Sequence, residues 1–416
     1  MRQFKDHSAP TCTAAALHCV SEKAAQQRMQ TDLDVLIVGG GLVGLSLAAA
    51  LRDAGLRLAL VEPQPLRALP ASDAWDSRIY AISPGSAAFL EQCRAWQGMP
   101  EERVARIETM RIYGDDGRAE LQFSAYDAGL RELALIVENN RLQTALWHVV
   151  RDSVRIHCPA TWSALEVDAD HAALRLDDGT ELLARLVVGA DGAESRIRSA
   201  AGIEATPEDY GQLGVVANFS SERTHRGVAF QWFRRDGVLA LLPMPGNRVS
   251  MVWSIAHDRG RELLAMSGED LAAEVEVASR GVVGALALIA PAAAFPLRLL
   301  RVTDFTRARL ALVGDAAHNV HPLAGQGVNL GFRDARELSN VLAARGPQRD
   351  CGDRMLLRRY QRARREDVLS MQLMTHALQK LFNNDAVFVG KVRNAGLKLV
   401  NWQPQLKNLL VHHAVA

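Results

Sequence analysis

The chain of 416 residues lacks any marked charge of one sign: 48 basic residues face 47 acidic ones, for a net charge of +1. That balance offers no basis for nucleic-acid binding, which needs a basic surplus. Cysteine is scarce and scattered (Cys12, Cys19, Cys93, Cys158 and Cys351), with no C-x-x-C pair and no metal-ligand spacing. A disulfide framework and a cysteine-based metal centre are therefore excluded, and a reducing, cytoplasmic location is expected. No apolar run approaches the ~18 residues that a membrane-spanning helix needs. Internal repeats and long low-complexity segments are missing too. Residues 1–30 carry no clear fold signal. Ala14-Ala15-Ala16-Leu17 is too short and too poorly flanked for a secretory signal. Residues 1–28 read as a loose extension or as the product of an upstream start, with Met29 just ahead of the first strand.

What is present is glycine in three ordered motifs. Asp34-Val35-Leu36-Ile37-Val38 is an apolar strand, followed at once by Gly39-Gly40-Gly41-Leu42-Val43-Gly44. That spacing is G-x-G-x-x-G. A helical pattern runs through Leu45, Ala48, Ala49 and Leu51, Gly55 ends it, and Leu58-Ala59-Leu60-Val61 is the next strand. Glu62 closes that strand where an acid meets an adenosine ribose. The first glycine permits the turn, the second admits pyrophosphate, and the third lets helix and strand pack closely. With strand, glycines, helix, strand and acid in order, a dinucleotide fold is expected.

The second motif is Leu186-Val187-Val188-Gly189-Ala190-Asp191-Gly192, followed by Ala193-Glu194-Ser195-Arg196-Ile197-Arg198. It reads as strand, turn and helix, with Asp191, Arg196 and Arg198 near a phosphate-rich ligand. The plain alternative is an Asp-Gly turn with helix-surface arginines.

The third motif runs from Gly314-Asp315 through Ala316, Ala317, His318, Asn319, Val320, His321, Pro322, Leu323 and Ala324 to Gly325-Gln326-Gly327. The buried-strand run Arg309–Val313 precedes it, and a helical pattern begins at Val328. A glycine-rich helix start offers free N–H groups and a positive dipole end to a group that gains negative charge. Asp315 would accept hydrogen bonds from sugar-like hydroxyls; the alternative is a simple helix-capping carboxylate. His318 and His321 would tune protons in this loop or make structural hydrogen bonds.

In order and spacing, the three motifs resemble the single-component flavin-dependent aromatic hydroxylases, the group that includes para-hydroxybenzoate hydroxylase. The resemblance covers roughly residues 32 to 410. Asp76–Ser83, Ile136–Leu142, Leu239–Pro243, Val252-Trp253-Ser254, Tyr360–Asp367, Met371 and Leu381-Phe382 are similar to the ubiquinone-biosynthesis branch of that group. The resemblance implies FAD as cofactor and a nicotinamide, NADH or NADPH, as reductant. No second G-x-G-x-x-G is present for a nicotinamide domain, as is usual in that group. Reduced FAD would add O₂ as a C4a-hydroperoxide, and the distal oxygen would pass to the aromatic ring of a polyprenylated phenol, in ubiquinone biosynthesis. Gly39, Gly41 and Gly44 would hold the pyrophosphate, Glu62 the ribose, and Asp315 the ribityl chain. Arg78 would reach FAD from the helix after the second strand. Asp191 belongs to the motif linked to FAD and reduced-nicotinamide binding. Pro322 would border the reacting face, and N–H groups around Gly325, Gln326 and Gly327 would face the flavin's pyrimidine edge.

The implied fold is α/β: a Rossmann-like FAD-binding lobe (31–105, 135–210 and 296–345), an inserted, mostly antiparallel substrate lobe (106–134 and 211–295), and a C-terminal helical region (346–416). Ile107–Tyr113 and Ala119–Phe123 read as a hairpin across Gly114-Asp115-Asp116-Gly117. Phe230, Trp232, Leu241, Met244 and Trp253 alternate as pocket-lining residues would, or as ordinary core. The alanine-rich stretch Gly284–Ala294 reads as a helix end and loop entering a strand near Phe295. Beyond Asp385 the tail is basic and apolar, with Lys391, Arg393, Lys398 and Lys407. It would form a helix docked on the flavin lobe, or a contact with the inner face of a membrane or with other quinone-biosynthesis proteins. Two other readings remain open. A halogenase or prenyl-chain reductase would share the fold, although the halogenase W-x-W-x-I-P pattern is missing. A non-catalytic flavoprotein scaffold would keep the same motifs.

Overall fold

Leu33–Val38 and Leu58–Val61 are apolar at nearly every position, and such runs suit strands covered on both faces. They are the centre of an eight-stranded sheet in the computed structural model, which describes residues 33–69, 74–114, 120–320, 326–346 and 348–382, with side chains described to 376. The sheet order is Thr306–Arg307, Leu310–Leu312, Glu181–Gly189, Leu33–Val38, Leu58–Val61, Arg155–His157, with Ala172–Leu176 attached to Glu181–Gly189 and Trp162–Val167 attached in turn to Ala172–Leu176. Leu33–Val38 pairs in parallel with Leu58–Val61 on one side and with Glu181–Gly189 on the other. Leu310–Leu312 adds to Glu181–Gly189, again in parallel. The chain therefore reverses its direction of sheet growth at the first strand. That topology opens a crevice beyond the carboxyl ends of the strands.

The helices Leu42–Leu51, Asn139–Val150 and Gly327–Ala343 cover this sheet with the long helix Arg354–Phe382. The Asn139–Val150 helix packs on Leu42–Leu51, and its Leu142, Ala145 and Leu146 are buried. Where Gly327–Ala343 crosses Leu42–Leu51 the backbones approach closely. A Cβ on Gly331 would stand 2.5 Å from Val43 Cγ2.

A second sheet has seven strands in the order Leu286–Val302, Ala205–Ser221, Arg248–Ala256, Gly237–Met244, Val228–Arg234, Thr109–Tyr113, Glu120–Ser124. All pairs are antiparallel except Val228–Arg234 with Thr109–Tyr113. The expected hairpin is there as Thr109–Tyr113 and Glu120–Ser124, its tip at 115–119 lying outside the described residues. Ala205–Ser221 and Leu286–Val302 belong to this sheet along their whole lengths, so they straddle the boundaries expected at 211 and 295. The strand Leu286–Val302 also corrects the reading of Gly284–Ala294 as helix end and loop. Alanine favours helix locally, but a long partner strand outweighs that preference.

The aromatic set divides differently from a pocket. Phe230, Trp232, Leu241 and Trp253 are buried under the helices His257–Ala265 and Gly268–Ala278, as core. Met244 lies on the opposite face, packed with Ala229 and Leu242 against Trp75, Ile79 and Ala81. Two-residue alternation separates the faces of a strand but does not say which face the helices cover. A small third sheet, Ile79–Ile82, Ala134–Glu138 and Ala105–Ile107, stands between the two large ones. Residues 1–30 and the tail beyond 382 lie outside the described residues, so the readings made for them are neither met nor opposed.

Candidate active site

Backbone pairing carries on past the strand ends and aligns four loops. Gly39 N–H donates to Val61 O at 2.9 Å, Ala190 N–H to Val38 O at 2.8 Å, and Val313 N–H to Gly189 O at 3.0 Å. Gly39, Glu62, Asp191 and Asp315 are thereby brought to one rim of the crevice. Gly39 has φ +115°, and a Cβ there would meet Ala190 O at 2.3 Å, so both conformation and space require glycine. Gly44 serves the close packing expected of a third glycine, against Gly39 O. Gly41 differs: it is exposed, its φ is −73°, and a Cβ there would meet nothing within 4 Å. Protein packing does not require glycine there, and the position leaves open space beside the helix start.

Glu62 accepts from Gly40 N–H at 2.6 Å through one carboxylate oxygen and from Gln64 N–H at 2.9 Å through the other. It holds the glycine loop in place and keeps lone pairs for another donor. Gln143, on the neighbouring helix, donates to Gly40 O at 2.9 Å.

Asp315 sits in a one-turn helix, Gly314–Ala316. Protein surrounds it on most sides, yet its side chain is open to solvent, as befits a group lining a cleft. This crowding pushes its carboxyl above the ordinary range, against the pull of the charges of His318 and Arg78, and Asp334 adds to the upward push. Among the described residues no donor reaches that carboxylate within hydrogen-bond distance. Arg78 is close enough to act on both Asp315 and Tyr80, but from a loop just before Ile79–Ile82, not from a helix as expected. The helix that follows, Pro84–Gln92, starts only after this short strand. The turn around Arg78 is set by Asp76, whose carboxylate accepts from Arg78 N–H at 3.0 Å and Asn140 N–H at 3.0 Å.

Helix starts supply the remaining electrostatics. Leu42–Leu51 and Gly327–Ala343 begin without a side-chain cap and without an acid in the first turn. Pro84–Gln92, Arg196–Ala200 and Gly268–Ala278 are capped by Ser83, Ser195 and Ser267, while Asn139–Val150 and His257–Ala265, like the first two, have no side-chain cap. The two starts at the crevice thus leave backbone donors and a positive dipole end for an anion. Gln326 and Gly327 lie at one of them, while Pro322 and Gly325 fall outside the described residues.

The Asp-Gly motif looks inward. Asp191 accepts from Ser195 Oγ at 2.5 Å and from Ile197 N–H at 3.1 Å, so both its oxygens hold its own turn. Arg198 is buried and donates to Ala316 O at 3.0 Å and Ala193 O at 2.9 Å. Arg196 donates to Trp162 O and lies over the Trp162 ring. The basic pair is therefore structural, correcting its expected place beside a phosphate. A motif gives spacing, not the direction in which a long side chain runs.

Several supports escaped the sequence reading. Asp334 is fully buried and accepts from His318 Nε2 at 2.6 Å, Arg364 Nε at 2.7 Å and Gly314 N–H at 2.9 Å. It fixes the turn that presents Asp315, and it gives His318 a structural bond. Asn329 donates to Ala81 O and accepts from Ser83 N–H, both at 2.9 Å, tying the Gly327–Ala343 helix to the strand after Arg78. Their signal was a polar residue among buried positions on a helix: Asp334 beside Leu330, Ala335 and Leu338, and Asn329 beside Leu330.

Three glycines of distinct use, an acid at the second strand end, a cleft-lining carboxylate and two uncapped helix starts fit a dinucleotide with sugar-like hydroxyls. Comparison with known proteins agrees. Residues 32–375 match the family model described as FAD binding domain. Ubiquinone hydroxylase UbiL of Rhodospirillum rubrum is 37% identical over 385 residues, which span 92% of this chain and 89% of that protein. The 3-demethoxyubiquinol 3-hydroxylase of Escherichia coli is 34% identical, over 92% and 98%. The crystal structure of p-nitrophenol 4-monooxygenase PnpA from Pseudomonas putida superposes with a TM-score of 0.73 at 18% identity, over 92% of this chain and 98% of that one.

Proposed function

The chain belongs to the FAD-binding-domain family and is an FAD-dependent monooxygenase, and from that premise we propose that it hydroxylates the aromatic ring of a polyprenylated phenol in ubiquinone biosynthesis, with NAD(P)H as reductant and O₂ as co-substrate. The observation that carries the cofactor assignment is the open position of Gly41 at a helix start, where an added Cβ would meet no protein atom and a pyrophosphate would have room. When bound, FAD supplies the redox chemistry: two electrons from the nicotinamide, one oxygen atom of O₂ to the ring and the other to water.

The protein's own residues bind and orient. Gly41 N–H and the start of Leu42–Leu51 would receive the pyrophosphate, with Gly39 and Gly44 shaping that loop. Glu62 would accept from the adenosine ribose and Asp315 from the ribityl hydroxyls. Arg78 would approach FAD from across the cleft. The Asp191 turn would border the cofactor by its backbone, since its carboxylate is engaged. Backbone N–H groups at Gln326 and Gly327 would stabilise negative charge at the pyrimidine edge. By the resemblance alone, Pro322 would border the reacting face and Gly325 the pyrimidine edge.

For the substrate, the sheet face opposite the aromatic core is the natural wall. Val238, Ala240, Leu242 and Val252 are half-buried there. Leu242 belongs to the group that packs against Ile79 and Ala81, on the strand next to Arg78. An apolar wall beside the cleft suits a prenylated ring and keeps water from it. Among the described residues no helix is long and apolar enough to cross a membrane.

The test is direct. Purified protein should be yellow, hold about one FAD, and couple NAD(P)H oxidation and O₂ uptake to a product carrying one oxygen atom from O₂. A protein that stays colourless after FAD reconstitution refutes the reading. A protein that binds FAD but hydroxylates no prenylated phenol refutes only the substrate.

A further inference from the structure

The long helix Arg354–Phe382 buries one side and leaves the other bare. Leu356, Leu357, Tyr360, Arg364, Val368 and Met371 are buried, the last next to Leu330. The opposite side exposes Arg354, Arg358, Arg359, Arg362 and Arg365, with Glu366 as the acid among them. Among the described residues none of these five arginines takes part in an ion pair. The chain as a whole is almost neutral, so this is a local concentration of charge.

Apolar side chains share that face. Met355 is 55% exposed, Leu369 46% and Leu373 66%. Positions 355, 358, 362, 369 and 373 follow helical spacing and form one stripe. Beside the basic end is a hollow of about 320 Å³, where Arg354, Arg358, Arg362 and Arg365 face Arg307 and Asp304.

We infer that this stripe is a docking surface for an anionic phospholipid bilayer, with the arginines on headgroup phosphates and Met355, Leu369 and Leu373 entering the acyl boundary. Two observations select lipid over other anionic partners. Guanidinium forks match phosphate geometry, and their number on one straight face suits a surface rather than a single ion. Exposed leucines in line with the charges gain nothing from a nucleic-acid backbone, but they bury apolar area in an interface. The surface is independent of the reaction proposed above, so each can fail without the other.

Flotation of the FAD-loaded protein with vesicles tests it, comparing phosphatidylcholine containing phosphatidylglycerol with phosphatidylcholine alone. Wild type should float with the anionic vesicles and detach as salt rises. The triple variant R358Q/R362Q/R365Q should bind them roughly a hundred-fold more weakly, from about five-fold per basic residue. R131Q/R223Q/R235Q, which removes three exposed arginines elsewhere, should bind like wild type. L369S/L373S should lose the part of binding that resists salt. FAD absorbance and unfolding midpoint verify that each variant is folded. The inference is overturned if wild type does not float at low salt, if the helix variant binds unchanged, or if the control variant loses as much. It is equally overturned if an acidic polypeptide or nucleic acid binds the stripe while vesicles do not.

Discussion

A Cβ on Gly44 would stand 2.0 Å from the carbonyl oxygen of Gly39, whereas one on Gly41, three residues earlier, would touch nothing. The glycines of a single motif thus answer to different constraints. Gly39 and Gly44 are required by the protein's own packing, whereas that packing leaves Gly41 unconstrained, in keeping with the pyrophosphate site proposed there.

Gly44→Ala and Gly41→Ala should therefore separate. The first forces backbone apart and should destabilise the apoprotein by at least the about 1–3 kcal/mol typical of overpacking. The second sits at φ −73°, which alanine adopts freely, so apoprotein stability should stay within about 0.5 kcal/mol. FAD affinity should nevertheless fall at least about ten-fold, since one lost hydrogen bond to a charged group is worth that much. Thermal unfolding of apoprotein and FAD titration provide both readings. Equal loss of stability in the two variants would contradict this division.

Asp315→Ala should separate stability from binding. The carboxylate is open to solvent and bonded to no donor among the described residues, so apoprotein stability should stay within about 0.5 kcal/mol. Loss of a charged acceptor should weaken FAD binding by about 1.5–3 kcal/mol, roughly 10- to 150-fold. Unchanged affinity would reduce Asp315 to a turn-forming residue.

The legible part of this chain was local. The glycine spacing, the strand before it and Glu62 lie within thirty residues, and their sequence order fixes the crossover that places them together. The basic pair Arg196 and Arg198 misled because a guanidinium reaches far, and here Arg198 runs to Ala316, more than a hundred residues away. Leu286–Val302 was hidden for a similar reason. Its alanines favour helix alone, and only the partner strand Ala205–Ser221 makes it a strand. Asp334 bonds to His318 and Arg364 across helix and loop, contacts that no spacing rule encodes.

Asp334 should govern the acid limit of stability. Burial alone would raise its carboxyl, but His318 and Arg364 outweigh burial and hold it below the ordinary value. The stabilisation is fully present above an unfolded value of about 3.9 and is lost as pH falls through the lower folded value. Asp334→Asn leaves Arg364 with Asp367 alone as charge partner, so the loss should stay below the about 3–5 kcal/mol of a fully broken buried pair. Urea midpoints measured from neutral pH down to acid should fall for wild type and change less for the variant. A variant with the wild-type midpoint at neutral pH would show the network to be energetically idle.

Glu138 and Arg78 should yield to opposite assays. Glu138 ends the strand Ala134–Glu138 and is buried. It accepts from Arg103 Nε and Nη2, both at 2.8 Å, and from Arg141 Nε at 2.9 Å. It also accepts from Asp76 N–H at 2.9 Å, and Asp76 in turn fixes the turn that carries Arg78. Glu138→Gln would remove the charge shared by two arginines in the interior, which should cost about 3–5 kcal/mol. It should also weaken FAD binding, by releasing the Arg78 turn. Arg78 itself is exposed, so Arg78→Ala should leave the urea midpoint within about 0.5 kcal/mol of wild type and lower FAD affinity alone. Denaturation of apoprotein and FAD titration of both variants decide the matter. If Glu138→Gln kept both midpoint and affinity, the chain of contacts from Glu138 through Asp76 to Arg78 would carry no energy. If Arg78→Ala bound FAD as tightly as wild type, Arg78 would have no part in holding the cofactor.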